Sequence, residues 1–187
     1  MSDTILTRLK NNLSFYRFNH SRQVAEEAKK LAYRWEVNPE QAFLAGLVHD
    51  YARDLSPERL QSFLPSFLEA EAWQIPSIFH ALAGPSIVKK ELDICDFRVL
   101  RAIRWHATGC EEMTTLDKIV FVADFSEPSR EFEAAQEVRK IAEKDLNRAY
   151  LLTLKAKLLY LISNQKPVYS ASLRAWNKEI GINGRKA

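Results

Sequence analysis

At 187 residues and 21.6 kDa the chain is the size of one ordinary domain, long enough to bury a core without staples. Its 27 Lys and Arg against 24 Asp and Glu leave a formal charge of +3, too small to point to nucleic acid or an anionic membrane, so any anion-binding site has to be local. Cys95 and Cys110 lie in unlike contexts without a Cys-x-x-Cys spacing, which argues against a disulfide framework and a thiolate zinc site.

No apolar leader follows the charges of Met1 to Lys10, and the most apolar later stretch, Leu151 to Ile162, is broken by Lys155 and Lys157. The expectation is a soluble, cytoplasmic protein. Glycine is scarce and apolar residues recur at intervals of three and four, which predicts an all-α chain. A first helix covers the opening ten or so residues. A second starts near His20, placing that histidine in its first turn, with Val24, Ala28, Leu31 and Trp35 on one face. Asn38-Pro39-Glu40 is a cap with proline at the first helical position, opening a helix through Tyr51. This helix carries His49-Asp50. Helical neighbours sit about 100° apart around the axis and about 1.5 Å apart along it, so both side chains can reach one ion and Asp50 can bridge to a second.

Ser56-Pro57-Glu58 repeats the start signal for a short helix, and Pro65, Pro76 and Pro85 punctuate the next segment. Phe63, Phe67, Trp73 and Phe79 in this stretch are expected in the core, with a lid or a homodimer face as alternatives. Pro76-Ser77 begins a helix in which His80 and Gly84 are one turn apart, so a neighbouring group can approach there closely. Asp96-Phe97 opens the next, with Val99, Ala102, Ile103 and His106 on one face and Gly109 as its stop. Thr114 and Asp117 form a variant capping box for a helix carrying Leu116, Val120 and Asp124, ended by Pro128. The longest amphipathic run comes after Asp145, with Leu146, Tyr150, Leu154, Leu158 and Leu161 on one side; it reads as core without chemistry. The whole is read as one domain with a core over about 15–165, and 166–187 as a C-terminal helix with a short basic tail, frayed from Gly181.

The chain has only four histidines, His20, His49, His80 and His106, and all fall at helix starts or on inward faces. Each alone reads as a satisfied core residue. Asp124 strengthens the series, because it lies in an apolar helix interior where an unpaired carboxylate is costly to bury. A metal or a cation, such as one of the arginines, has to compensate it.

The ordered segments Arg17-Phe18-Asn19-His20-Ser21, Leu47-Val48-His49-Asp50-Tyr51-Ala52-Arg53-Asp54-Leu55, His80-Ala81-Leu82-Ala83-Gly84-Pro85, Arg104-Trp105-His106-Ala107-Thr108-Gly109 and Asp117 to Asp124, followed by Glu127-Pro128-Ser129-Arg130, resemble the HD-domain metallohydrolases. More narrowly they resemble the YqeK group, which hydrolyses diadenosine tetraphosphate symmetrically. The resemblance covers nearly the whole chain and implies an HD-domain helical bundle with a di-metal site in its centre. It implies that His20, His49, Asp50 and Asp124 hold one divalent ion and that His80 and His106 hold a second, bridged by Asp50. Arg53 stands where the family commonly has lysine, and Phe132-Glu133-Ala134 where it often has Phe-Pro-Gly, so substrate fit rather than the metal set is altered.

Imidazole and carboxylate donors suit iron, manganese, cobalt, nickel or zinc better than magnesium, and the resemblance favours iron. By themselves these residues point to metal-assisted hydrolysis of a phosphoester or phosphoanhydride through a metal-activated water, and the resemblance implies the phosphoanhydride of diadenosine tetraphosphate. Asp50, Arg53 and Asp54 are the candidate catalytic residues, Asp54 either accepting a proton or orienting Arg53. Arg53, Arg130, Lys118, Thr108 and Gly109 are candidates for holding a dinucleoside polyphosphate or other nucleotide, with Arg104 a further basic residue. The competing readings are another HD nucleotide phosphohydrolase or nucleotidase, a catalytically silent nucleotide-binding module, and a purely structural protein.

Overall fold

The computed structural model describes residues 3–181, and among them there are ten α-helices and no strand. These are α1 (Asp3–Asn12), α2 (Phe15–Arg34), α3 (Pro39–Val48), α4 (Pro57–Gln61), α5 (Phe79–Leu92), α6 (Phe97–Trp105), α7 (Thr115–Ser126), α8 (Glu133–Ala142), α9 (Leu146–Ser163) and α10 (Ser170–Glu179), with 3-10 turns at Ala70–Gln74 and Pro76–Ile78. Among the described residues no helix is long and apolar enough to cross a membrane. The tail predicted to fray lies, from residue 182 on, outside the described residues.

Local chemistry explains the helix starts. Asn38 accepts from the backbone N–H of Glu40 and Gln41, Ser56 from Arg59, Asp96 from Arg98 and Asp145 from Arg148, so each satisfies an otherwise orphaned donor. Thr114 and Asp117 complete a reciprocal capping box. Helix α7 packs against α2, α3, α6, α8 and α9, and Leu116, Ile119, Val120, Phe121, Val122 and Ala123 are all buried. A helix apolar around most of its circumference belongs at the centre of a bundle, which puts Asp124 in the interior.

Several expectations are corrected. Helix α2 begins at Phe15, so His20 falls in its second turn rather than its first. Helix α3 stops at Val48 instead of running through Tyr51, because Tyr51 and Arg53 bond back three residues to Val48 and Asp50. His49 and Asp50 therefore stand on tight turns just beyond the helix end. Pro85 lies inside α5 rather than punctuating it; packing outweighs the one backbone bond the ring removes. The longest helix is α2, with 20 residues against 18 in α9. Phe79 is core and Phe63 packs against it, but Phe67 and Trp73 are exposed. Close approach at Gly84 is real: a Cβ there would meet Ile103 Cγ2 of α6 at 2.9 Å.

Gly46 lets the backbones of α2 and α3 meet closely near the site. A Cβ there would lie 2.9 Å from Ala25 Cα and 3.0 Å from Ala25 N and Val24 O, all backbone atoms of α2. Gly46→Ala gains about 1 kcal/mol of helix propensity but loses about 1–3 kcal/mol to overpacking, since no side chain can rotate away. The expected outcome is a net fall in thermal midpoint, at roughly 2–4 °C per kcal/mol for a chain of this size, measured by circular dichroism; an unchanged or raised midpoint would show that α2 and α3 separate at no cost.

Candidate metal centre

Five helices deliver the six residues. His20 comes from α2, His49 and Asp50 from the turn after α3, His80 from the first turn of α5, His106 from the residue capping α6, and Asp124 from the last turn of α7. Three of these positions are helix C-terminal ends, whose partial negative charge favours a cation between them.

Two clusters share Asp50. Its Oδ1 is 3.4 Å from both His80 Nε2 and His106 Nε2, which are 3.3 Å from one another. On the other side, Asp50 Oδ2 is 3.8 Å from His49 Nε2, and Asp124 Oδ1 is 3.7 Å from His49 Nε2 and 3.1 Å from His20 Nε2. Donors about 2.1 Å from a shared ion stand roughly 3.0–3.4 Å apart in octahedral or tetrahedral geometry, so the spacing fits a divalent metal with little adjustment.

The imidazoles are oriented for that task. His49 Nδ1 donates to Gly46 O and His106 Nδ1 to Ile103 O, each at 2.7 Å, leaving each Nε2 lone pair directed into the cluster. His49 Nε2 is buried with no hydrogen-bond partner, an orphan that an ion would satisfy. His20 Nδ1 is held by Glu127 Oε1 at 3.1 Å. Burial pushes the His49 imidazole down to about 4, and burial likewise holds His80 well below its usual value, so both are neutral near pH 7. For His20, burial opposes the charge, but the Asp124 and Glu127 carboxylates outweigh it and raise the group to about 9. Burial also opposes ionisation of Asp50 and Asp124. The surrounding imidazoles, led by His49, hold Asp50 well below the carboxylate range, and Lys157, with His20 next, does so for Asp124.

The clusters form the floor of a cavity of about 770 Å³, within the range of about 300–1,000 Å³ usual for small-molecule sites. Arg17, Arg53, Arg130 and Lys157 line it, as do Tyr16, Phe132 and Tyr160. Of the residues singled out in the sequence, Arg53, Arg130 and Thr108 are at the cavity, and Arg53 Nη1 lies over the face of His80 at 2.6 Å from Nδ1 while donating to Ser77 O at 3.2 Å. Thr108 spends its hydroxyl hydrogen on Gly109 O. Lys118 does not reach the cavity; it binds Asn147 and Glu179 and covers the Tyr150 ring. Gly109 does not line it either, its φ of 68° serving the turn after α6, where a Cβ would strike Tyr150 Oη. Arg104 stacks on Trp105 away from the cavity. Asp54 holds Arg17 rather than Arg53.

Helix α9 is not free of chemistry. Its Lys157 donates to Asp124 Oδ2 at 3.1 Å and to His106 O at 3.0 Å, so the cation paired with Asp124 is a lysine, not an arginine. A lysine interrupting an otherwise apolar run was the one available signal. Arg17 and Glu127 were visible only as members of recurring segments, since what they touch lies far along the chain.

The sequence pattern of the HD domain matches residues 17–129, from Arg17 to Ser129. The chain belongs to the HD-domain family. Among HD-domain relatives, it is 33% identical over 177 residues to the symmetrical bis(5′-nucleosyl)-tetraphosphatase of Bacillus subtilis, covering 92% of this chain and 94% of that one. It is 30% identical over 172 residues to the protein of the same name from Staphylococcus aureus, covering 90% and 89%. In three dimensions it matches a "predicted HD superfamily hydrolase involved in NAD metabolism" from Clostridium acetobutylicum, with a TM-score of 0.91, 36% identity and 95% and 96% of the two chains covered.

Proposed function

We propose that the protein hydrolyses diadenosine tetraphosphate symmetrically. The observation that carries this reading is the convergence of six buried or nearly buried metal donors beneath a cavity lined by four cationic side chains, in a chain that matches named tetraphosphatases over nine-tenths of its length. His20, His49, Asp50 and Asp124 would hold one divalent ion, and Asp50, His80 and His106 a second, with iron as the metal we favour from the family likeness. Such ions supply Lewis acidity, polarising phosphoryl oxygens and acidifying a water.

The chain's own residues fix the donors and meet the substrate. Gly46 and Ile103 carbonyls and the Glu127 carboxylate set the imidazole orientations. Lys157 holds one oxygen of Asp124 while the other faces His20 and His49. Arg53 and Arg130 offset the charge of a tetraphosphate, and Tyr16, Phe132 and Tyr160 offer aromatic surface to its adenines. Attack of one water on a β-phosphorus breaks the central phosphoanhydride bond and gives two ADP, with the leaving oxygen and its charge on the second.

Metal-loaded protein incubated with diadenosine tetraphosphate is expected to give ADP as sole nucleotide product by chromatography. AMP plus ATP would overturn the reading. Anaerobic elemental analysis tests the metal and is expected to find two ions per chain.

A further inference from the structure

We infer that Arg17 binds the polyphosphate next to the reacting centre and that Asp54 is a positioning residue acting through Arg17; this rests on reading the site as a polyphosphate hydrolase. Arg17 lies on α2 three residues before His20, hence on the same face. Its Nε donates to Asp54 Oδ1 at 2.7 Å. The other oxygen of Asp54, Oδ2, accepts from the Ser14 backbone N–H at 3.0 Å, at the start of α2, so the carboxylate is tied to the helix that carries the arginine. The guanidinium is thereby anchored by one edge only.

The opposite edge is free. Among the described residues neither Nη of Arg17 donates a hydrogen bond, and Nη1 stands 3.6 Å from Asp50 Oδ2, beyond hydrogen-bond length. The side chain is 32% exposed and faces the cavity. No other cation there has this combination. Arg53 is held through a terminal nitrogen, Nη1, by Ser77 O and His80, Lys157 is taken up by Asp124 and His106 O, and Arg130 has only Glu127 at 3.6 Å. A planar fork fixed at Nε, with both terminal nitrogens open beside Asp50, is shaped to take two phosphate oxygens at once. The same geometry reassigns Asp54. With both oxygens turned to N–H donors of α2 and Arg17, it is not aimed at a reacting water.

The test uses metal-loaded wild-type protein, Arg17→Ala, Arg17→Lys, Asp54→Asn and the Arg17→Ala/Asp54→Asn pair. Bound metal, KM, kcat and calorimetric binding of inorganic tripolyphosphate are measured for each. Arg17→Ala is expected to keep its metal, weaken tripolyphosphate about tenfold or more and raise KM, with partial recovery on adding guanidinium; Arg17→Lys recovers less than arginine and more than alanine. Asp54→Asn is expected to give a smaller loss that vanishes in the Arg17→Ala background. Because Asp54 also caps Ser14, a change in thermal midpoint does not bear on this, whereas the non-additive binding does. Unchanged tripolyphosphate binding in Arg17→Ala, loss of metal from it, or a full Asp54→Asn effect without Arg17 would each overturn the inference. Wild-type protein that cleaves no dinucleoside polyphosphate would sink the proposed function alone, since the tripolyphosphate titration still decides Arg17.

Discussion

Asp50→Asn is expected to lower kcat/KM by at least about 10³-fold, some 4 kcal/mol of transition-state stabilisation at 1.36 kcal/mol per decade. Among the described residues no other serves both clusters: Oδ1 faces His80 and His106 at 3.4 Å, and Oδ2 faces His49 at 3.8 Å. Asparagine keeps the shape but removes the charge and replaces one donor oxygen with an amide nitrogen that does not ligate. Bound metal is therefore expected to fall together with activity. Loss of the fold is a separate outcome and is distinguishable. The imidazoles that keep Asp50 ionised in the folded chain make its carboxylate a net stabiliser at pH 7, so the metal-stripped Asp50→Asn protein is expected to melt somewhat below metal-stripped wild type while keeping its far-ultraviolet dichroism at 25 °C. A variant that retains both its metal and its activity within tenfold of wild type would show that Asp50 does not link the two clusters.

That Asp50 could be found in the sequence, while its neighbours' roles could not, has a physical reason. Donor types are a property of residues, and caps are a property of three or four consecutive ones, so His49-Asp50 and the starts at Asn38, Ser56, Asp96, Thr114 and Asp145 were readable directly. The end of α3 was not. It depends on i→i+3 bonds and on His49 Nδ1 turning back to Gly46 O, which leave the helical pattern of the side chains unchanged. Partner choice was hidden for a different reason. Glu127 meets His20 across 107 residues, Lys157 meets Asp124 across 33, and Arg17 meets Asp54 across 37, and no local pattern encodes such pairings. The family likeness carried the ligand series across those separations. It did not carry Lys118 or Gly109, whose neighbours Asn147, Glu179 and Tyr150 lie on α9 and α10, outside the recurring segments.

Stripping the metal is expected to abolish hydrolysis completely while leaving the helices in place. The cavity floor carries its own partial compensation: Lys157 pairs with Asp124 at 3.1 Å, and Arg17 stands 3.6 Å from Asp50. The core around α7, with Ile119, Val120, Phe121, Val122 and Ala123 fully buried, does not depend on the cluster for its packing. A chain of this kind differs from a zinc finger, in which the ion is needed for folding outright. With a dissociation constant of about 1 μM and roughly 100 μM free metal, binding adds about 2.7 kcal/mol, which corresponds to a rise in midpoint of roughly 5–11 °C. Chelation followed by dialysis is thus expected to leave the far-ultraviolet dichroism at 25 °C unchanged, to lower the midpoint by that amount, and to bring activity to background until metal is restored. Unfolding at 25 °C on chelation would instead assign the ion a structural role, and full activity after chelation would remove it from the reaction.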